Sequence, residues 1–363
     1  MIYVAYFILL FAIIRLFVAL VNFVFYQKLT SDKSNDQRNL VSVLIPARNE
    51  ESNIANLLSD LSNQNYQNLE IIVFNDQSDD NTASVVTIFS KKDNRIRLIN
   101  SDGLPNGWLG KNYACHSLSK QATGDFLLFL DADVRIKTDL ITKTLLFAKK
   151  HNLGLLSIFP KQKMRNLGEQ FTVPVMNYIL LSLLPLILVR SSSFASLSAA
   201  NGQFMLFNAI IYKKFWPHEL MKSERVEDIK ISRYFKKKKI HIACIASTDS
   251  ISCRMYQNYG EAVNGFSKNF IMFFGNSYIF ATLFWLITTF GFIFILTFLT
   301  QKLIILYLSI VILVRILISA VSNQSIAFNL LYIIPQHISM GVILYRSIMN
   351  SLKKEHKWKG RSV

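Results

Sequence analysis

The apolar residues of this chain gather in long runs near its two ends, and between them, from Leu40 to about Gly168, polar and apolar residues alternate. A chain divided this way places part of itself in lipid and folds one soluble domain beside it. The first run, Ile2 to Tyr26, is interrupted by Arg15 and Asn22 and exceeds the roughly 20 residues that cross a bilayer. It has no basic start and no small-residue cleavage site before Lys28, so it reads as a retained anchor rather than a signal peptide. Tyr278 to Leu299 and Leu303 to Val321 are two further spans, joined so tightly that they form a hairpin. Ile326 to Met349 carries Pro335, Gln336, His337 and Arg346, and crossing, re-entry and an interfacial position all stay open for it. Three crossings after the soluble domain would put the basic tail on the opposite face, against the positive-inside tendency. Phe171 to Leu197, with Pro174 and Pro185, reads as an interfacial helix. The expected division is an anchor at 1–27, a soluble domain at 40–260 that includes the stretch 171–197, membrane segments at 278–349 and a basic tail at 350–363.

The formal net charge of +17 calls for an anionic partner, and the distribution of cations favours a membrane surface. Lys28, Lys33 and Arg38, then Lys236 to Lys239, then Lys353 to Arg361 flank the apolar segments or the soluble domain, and no nucleic-acid module accompanies them. Cys115, Cys244 and Cys253 show neither CxxC nor His/Cys metal spacing, which favours reduced, buried thiols in a cytoplasmic domain.

Within the soluble stretch, Leu40–Ile45, Leu69–Phe74, Ile96–Ile99, Phe126–Leu130 and Leu155–Ile158 are strand candidates, and helical spacing intervenes at Ile54, Leu57, Leu58 and Leu61 and again at Ala114 and Leu118. This rhythm predicts an α/β fold with a mostly parallel, doubly wound sheet, in which ligands gather beyond the carboxyl ends of the strands. Those ends are polar: Pro46-Ala47-Arg48-Asn49-Glu50-Glu51 after the first, Asn75 to Thr82 with Asp76 after the second, and Asp131-Ala132-Asp133 after the fourth. Two carboxylates one residue apart in extended backbone point the same way, so Asp131 and Asp133 are placed to share one hard cation, Mg²⁺ or Mn²⁺, or else to cap a turn. Gly107 to Asn112 superficially suggests a P-loop, but Pro105 and Asn112 stand where that loop needs Gly and Ser or Thr, and there is no GxGxxG. Lys111, at a helix start, either meets a phosphate or stays solvated. Arg225-Val226-Glu227-Asp228 precedes an apparent helix, Ile229–Lys238. Its acids either complement the helix N-terminus or supply a base, and Asp228 is the better candidate to take a proton from an attacking hydroxyl.

With these motifs in this order, the chain resembles family 2 glycosyltransferases of the GT-A, Rossmann-like fold over about Leu40 to Arg254. Gly107-Trp108-Leu109-Gly110-Lys111, Arg254-Met255-Tyr256-Gln257 and Trp358-Lys359-Gly360-Arg361 resemble the carotenoid (diaponeurosporenoate) and hopanoid-associated group of that family. The resemblance implies an inverting hexosyltransferase at the cytoplasmic membrane that uses a UDP-sugar, UDP-glucose above others. It places Ala47, Arg48, Glu50 and Asp76 around the nucleotide and Lys111 beside them. Asp131 and Asp133 are placed near diphosphate and metal, Asp228 as base, and Asn201, Gly202, Gln203, Glu227 and Arg254 on the acceptor side. The acceptor it implies is a carotenoid or other isoprenoid lipid. Arg254 lacks the Gln-x-x-Arg-Trp surroundings of processive synthases, which favours transfer of a single sugar, and Phe215-Trp216-Pro217-His218 replaces the usual glycine pair of the acceptor loop. A polyprenyl-phosphate sugar synthase and a non-catalytic membrane component of a glycan assembly are the competing readings.

Overall fold

The computed structural model describes residues 1–30 and 38–353, with the backbone of 357–358 and 361–362. Lys33 and most of the basic tail, including Lys359 and Gly360 of the Trp358–Arg361 motif, lie outside the described residues. The chain divides into two compact units. One comprises Met1–Tyr26, Gln162–Pro185 and Arg254–Val363, the other Gln27–Lys161 and Leu186–Cys253.

The second unit is built on a seven-stranded sheet of Val41–Ala47 (β1), Leu69–Asn75 (β2), Ile96–Asn100 (β3), Phe126–Leu130 (β4), Leu155–Ile158 (β5), Phe204–Asn208 (β6) and Ile242–Ile245 (β7). Its order is β3-β2-β1-β4-β6-β5-β7. β1 pairs in parallel with β2 and β4, and β3 in parallel with β2. β6 runs against both β4 and β5, while β5 and β7 are again parallel. β1, β2 and β4 are buried almost throughout because helices cover the sheet, as continuous apolar strands require. Ile54, Leu57, Leu58 and Leu61 are fully buried on the amphipathic helix Ile54–Ser62, the spacing that the sequence shows.

The five strands expected from sequence all form, β4 and β5 with the expected bounds. β6 and β7 were not among them, and β6 makes the sheet mixed at that point. The helix expected at 229–238 begins earlier, at Glu227, and ends at Lys237, so Glu227 and Asp228 form its first turn instead of preceding it.

The first unit is helical. Ile2–Val24, Tyr278–Phe298 and Gln301–Val321 are, among the described residues, the helices long and apolar enough to cross a membrane. Ile326–Met349 is instead two helices, Ile326–Leu331 and Ile333–Lys353, neither of which meets that condition. The stretch 171–197 is divided: Leu167–Leu183 is a helix of the first unit, with Pro174 inside it, whereas Ile187–Ser191 belongs to the second. Leu167–Leu183 packs on Ile2–Val24, Gln301–Val321 and Ile333–Lys353, which places it in the helical bundle.

Candidate active site

The polar strand ends of the second unit are tied to one another by side chains that reach across them. Asn49 and Gln77 both take the left-handed conformation, with φ of 52° each, which turns the chain sharply as it leaves β1 and β2. The Arg48 guanidinium donates to the carbonyls of Asp76 at 2.6 Å and Gln77 at 3.2 Å, and Asp76 N–H donates to the Ala47 carbonyl at 2.8 Å. Glu50 N–H donates to the Thr82 hydroxyl at 2.8 Å, and Asp79 N–H to the Asn49 side-chain oxygen at 2.9 Å. Ala47 and Asp76 are buried and Arg48 and Glu50 half-buried, so these residues present one braced surface.

Beyond β4, Asp131 receives the ammonium of Lys111, whose Nζ lies 2.7 Å from Oδ1 and 2.9 Å from Oδ2. Lys111 stands at the start of the helix Gly110–Gln121, so a helix N-terminus delivers it to the strand end. The same Nζ lies 3.8 Å from Glu227 Oε1 and donates to the Gly202 carbonyl at 3.3 Å. Gly202 N–H in turn donates to Asp228 Oδ2 at 2.9 Å. A Cβ at Gly202 would sit 3.1 Å from the Lys111 nitrogen and 3.3 Å from Glu227 Oε1, so the residue is small where these charged groups converge. Asn201 is fixed by Ser157, whose hydroxyl accepts from Asn201 N–H at 2.7 Å and donates to its carbonyl at 3.1 Å. Asn201 Oδ1 accepts from Gln203 N–H at 2.9 Å, and the Gln203 side chain donates to Cys253 Sγ at 3.0 Å.

The electrostatics follow from this crowding. Burial works against the Lys111 ammonium, yet Asp131 and Glu227 beside it outweigh that and hold it well above the ordinary lysine range. Burial pushes the Glu227 carboxyl up, with Lys111 opposing and Asp228 reinforcing. Burial likewise raises Asp228 above the usual aspartate value, against backbone N–H donors from Ile229 and Gly202 and the Lys111 charge. Asp133 is raised to about 6, first by burial and then by Asp131 and Glu50. Its Oδ1 is buried with no hydrogen-bond partner among the described residues. That atom fits a cation, because a lone buried carboxylate oxygen is the donor type that a hard divalent ion takes, while among the described residues no three such side chains are gathered at one point.

The structure therefore brings together Lys111, Asp131, Gly202, Glu227 and Asp228, with Asn201, Gln203 and Asp133 adjoining and Ala47, Arg48, Glu50 and Asp76 on the neighbouring strand ends. Arg254 belongs to the helical unit, where its Nη2 pairs with the fully buried Glu169 at 2.6 Å. Sequence reasoning gave no role to Asn112. Its amide donates to the carbonyls of Met221 at 2.7 Å and Glu224 at 2.9 Å, holding the segment that leads into Glu227 and Asp228. Cys253, expected only as a buried thiol, is buried and also lies against Asp133. Ser157 gave no signal because a serine inside a short apolar strand looks like any other core hydroxyl.

Residues 42–207 match the family model described as glycosyl transferase family 2. They are a family 2 glycosyltransferase domain. The match runs from β1 to β6 and so contains Lys111, Asp131, Asp133 and the Asn201–Gln203 turn, while Glu227 and Asp228 follow it. The chain is 27% identical, over 63% of its length and 60% of the relative's, to a 4,4'-diaponeurosporenoate glycosyltransferase of Staphylococcus haemolyticus. It is 31% identical, over 36% of its length and 42% of the relative's, to a GalNAc(5)-diNAcBac-PP-undecaprenol beta-1,3-glucosyltransferase of Campylobacter jejuni. It thus spans less than two thirds of either relative. The mannosyltransferase PcManGT from Pyrobaculum calidifontis, solved in complex with GDP-Man and Mn²⁺, aligns over 98% of this chain and 99% of its own, with a TM-score of 0.59 and 14% identity. That likeness identifies the fold of the transferase domain as GT-A.

Proposed function

We propose that this chain is a multi-pass membrane glycosyltransferase that moves one sugar, with inversion, from a UDP-sugar, UDP-glucose above others, to a carotenoid or other isoprenoid lipid. The observation that carries the reading is the convergence of Lys111, Asp131, Glu227 and Asp228 on Gly202, in and immediately after a family 2 transferase domain. A lipid or lipid-borne acceptor is supported by the names of the relatives, one naming diaponeurosporenoate and one a GalNAc(5)-diNAcBac saccharide on diphospho-undecaprenol.

In this reading Ala47, Arg48, Glu50 and Asp76 line the nucleotide, and Asn201, Gly202, Gln203 and Glu227 face the acceptor. Asp131 and Asp133 would hold Mg²⁺ or Mn²⁺, which when bound offsets the charge that builds on the leaving diphosphate. Lys111 keeps the Asp131 carboxylate fixed and adds a positive charge at the same place. Asp228, held by the Gly202 N–H, takes the proton of the acceptor O–H as its oxygen bonds to the anomeric carbon. The carbon–oxygen bond to the diphosphate breaks in the same step, and nucleoside diphosphate leaves. Burial suits Asp228 to this role, because a raised pKa brings a carboxylate closer to the pH at which a base must both accept and release a proton.

Three crossings, Ile2–Val24, Tyr278–Phe298 and Gln301–Val321, put the transferase domain and everything after Val321 on one face of the membrane. Lys28, Lys236 to Lys239 and the basic tail then share that face, which the positive-inside tendency makes cytoplasmic. The test is release of nucleoside diphosphate from a panel of UDP- and GDP-sugars by the detergent-solubilised chain, with native lipid extract and Mn²⁺, before and after chelation. Turnover with a UDP-sugar that disappears on chelation and returns with metal is expected. Absence of turnover with every donor, from folded protein, would assign the chain to a non-catalytic role.

A further inference from the structure

Two arginines are buried inside the helical unit without a carboxylate. Arg15, on Ile2–Val24, is 6% exposed and Arg315, on Gln301–Val321, is 4% exposed, and these helices pack against one another. Among the described residues no ion pair reaches either. Both guanidinium groups lie over the ring of Tyr178, with Cζ 4.5 Å from its centroid for Arg15 and 3.8 Å for Arg315, and Arg15 also lies 5.2 Å from the Phe284 ring. Cation–π contact offsets part of the desolvation of each cation but does nothing for their mutual repulsion.

The hydrogen bonding is equally one-sided. Arg15 Nε donates to the Ser182 hydroxyl at 3.2 Å, and Arg315 Nη1 donates to Gln336 Oε1 at 2.6 Å. Arg315 Nη2 lies 3.1 Å from His337 Nδ1, but that nitrogen is also 2.8 Å from the Ile333 carbonyl. A protonated Nδ1 satisfies the carbonyl and repels the arginine, and a bare one does the reverse, so one of the two contacts is always unmet. Arg15 Nη2, Arg315 Nε and His337 Nε2 are buried with no hydrogen-bond partner among the described residues. Gln336 in turn donates to Asn329 Oδ1 at 3.0 Å and to the Gln170 carbonyl at 3.1 Å, so its amide is already committed and only its oxygen serves Arg315. The Tyr178 hydroxyl is hydrogen-bonded to both arginines, and it is one neutral acceptor for two fixed positive charges, so what the cluster lacks is an anion rich in acceptors.

We infer that Arg15, Arg315 and Tyr178 form a binding site for the phosphate or carboxylate of a lipid held among the helices of this unit. Both arginines lie in the C-terminal halves of their helices, about 13 Å from the end for Arg15 and about 9 Å for Arg315 at 1.5 Å per residue. At such positions inside a span a charged side chain is costly unless it meets a counter-charge or polar partners, and a hydrated free ion enters at high cost. The inference rests on the membrane placement of this unit and not on sugar transfer, so either can fail without the other.

The test is thermal unfolding of the full chain in a non-ionic detergent with farnesyl phosphate, farnesol or inorganic phosphate added, together with native mass spectrometry to count bound probe. Farnesyl phosphate should raise the unfolding temperature and stay bound, and farnesol at the same concentration should do neither. In Arg15→Gln and Arg315→Gln the apparent affinity for farnesyl phosphate should fall about tenfold or more, and Arg315→Lys should recover part of it. An equal shift from inorganic phosphate, lost in the same variants, would keep the anion site and assign it to a free ion. Equal stabilisation of the wild-type chain by farnesol and farnesyl phosphate would overturn the proposal even if neither Gln variant folds. Undiminished binding in folded Gln variants would overturn it as well.

Discussion

Lys111 in the transferase domain, with a quarter of its side chain exposed, and Arg315 in the helical unit, 4% exposed, are both cations drawn out of water, and they are treated in opposite ways. Lys111 is met by Asp131 at 2.7 Å and Glu227 at 3.8 Å, with Asp228 bound to the adjacent Gly202, so the chain supplies the compensating charge itself. Arg315 and its neighbour Arg15 have aromatic rings, a glutamine and a serine, but no carboxylate among the described residues. A buried charge whose partners are built in marks a site assembled before any ligand arrives. A buried charge left to rings and neutral acceptors is, on the inference drawn above, a place where the counter-charge comes from outside. The first arrangement suits a reaction centre that must be positioned in advance, and the second suits recognition.

The predictions follow from that contrast. Asp228→Asn keeps the shape of the side chain and removes the base, so turnover should fall by about 10²–10⁴-fold, measured as nucleoside diphosphate release with folding checked by circular dichroism. In the wild-type chain kcat/KM should fall as the pH drops through the raised Asp228 value, because only the ionised carboxylate accepts the proton. The acidic limb of the profile should therefore lie above the ordinary aspartate range. Lys111→Met leaves Asp131 and Glu227 crowded and unpaired. It should lower stability by about 2–3 kcal/mol in a urea titration of the detergent-solubilised chain followed by tryptophan fluorescence. Asp93→Asn probes a pair remote from both clusters. Arg95 holds Asp93 at 2.7 and 2.9 Å and, through those hydrogen bonds, lowers its pKa to about 2, against burial and with help from the Arg95 N–H and Ser62. A lowered folded-state pKa means that the stabilisation is present above the ordinary value of 3.8 and is lost as the pH falls toward about 2. Asp93→Asn should cost about 1–2 kcal/mol at neutral pH and flatten the acid dependence across that window. Arg15→Met should have the smallest effect, within about 1 kcal/mol without added lipid, because relief of repulsion and of the buried charge offsets the lost hydrogen bonds and ring contacts. A loss as large as that of Lys111→Met would mean that a partner within the chain had been serving Arg15 after all.

The sheet was readable where apolar runs alternate with helical spacing and end in polar residues, and less so elsewhere. β6 and β7 are short apolar runs, Phe204–Asn208 and Ile242–Ile245, with no periodicity to separate strand from helix. Direction was hidden as well, since nothing in Phe204–Asn208 says that it runs against β4. The acids of the site could be named because carboxylates directly after apolar strands have few structural reasons to be there. Their partnership with Lys111 could not, because it depends on how the helix Gly110–Gln121 meets the end of β4. Asn112 stood in plain view as the residue that rules out a P-loop, and its contacts with 221–224 exist only in three dimensions. The stretch 171–197 shows the limit of composition most clearly. A helix lying in an interface and one packed in a bundle are equally apolar, and the contacts of Leu167–Leu183 with Ile2–Val24, Gln301–Val321 and Ile333–Lys353 cannot be read from its composition.

The most direct measurement is the anomeric configuration of the product formed from an α-linked UDP-sugar and native lipid extract, read by nuclear magnetic resonance on the purified glycolipid. Direct displacement with Asp228 as base predicts a β-linked product, none of which accumulates with Asp228→Asn. An α-linked product, or undiminished formation of product by that variant, would contradict the mechanism.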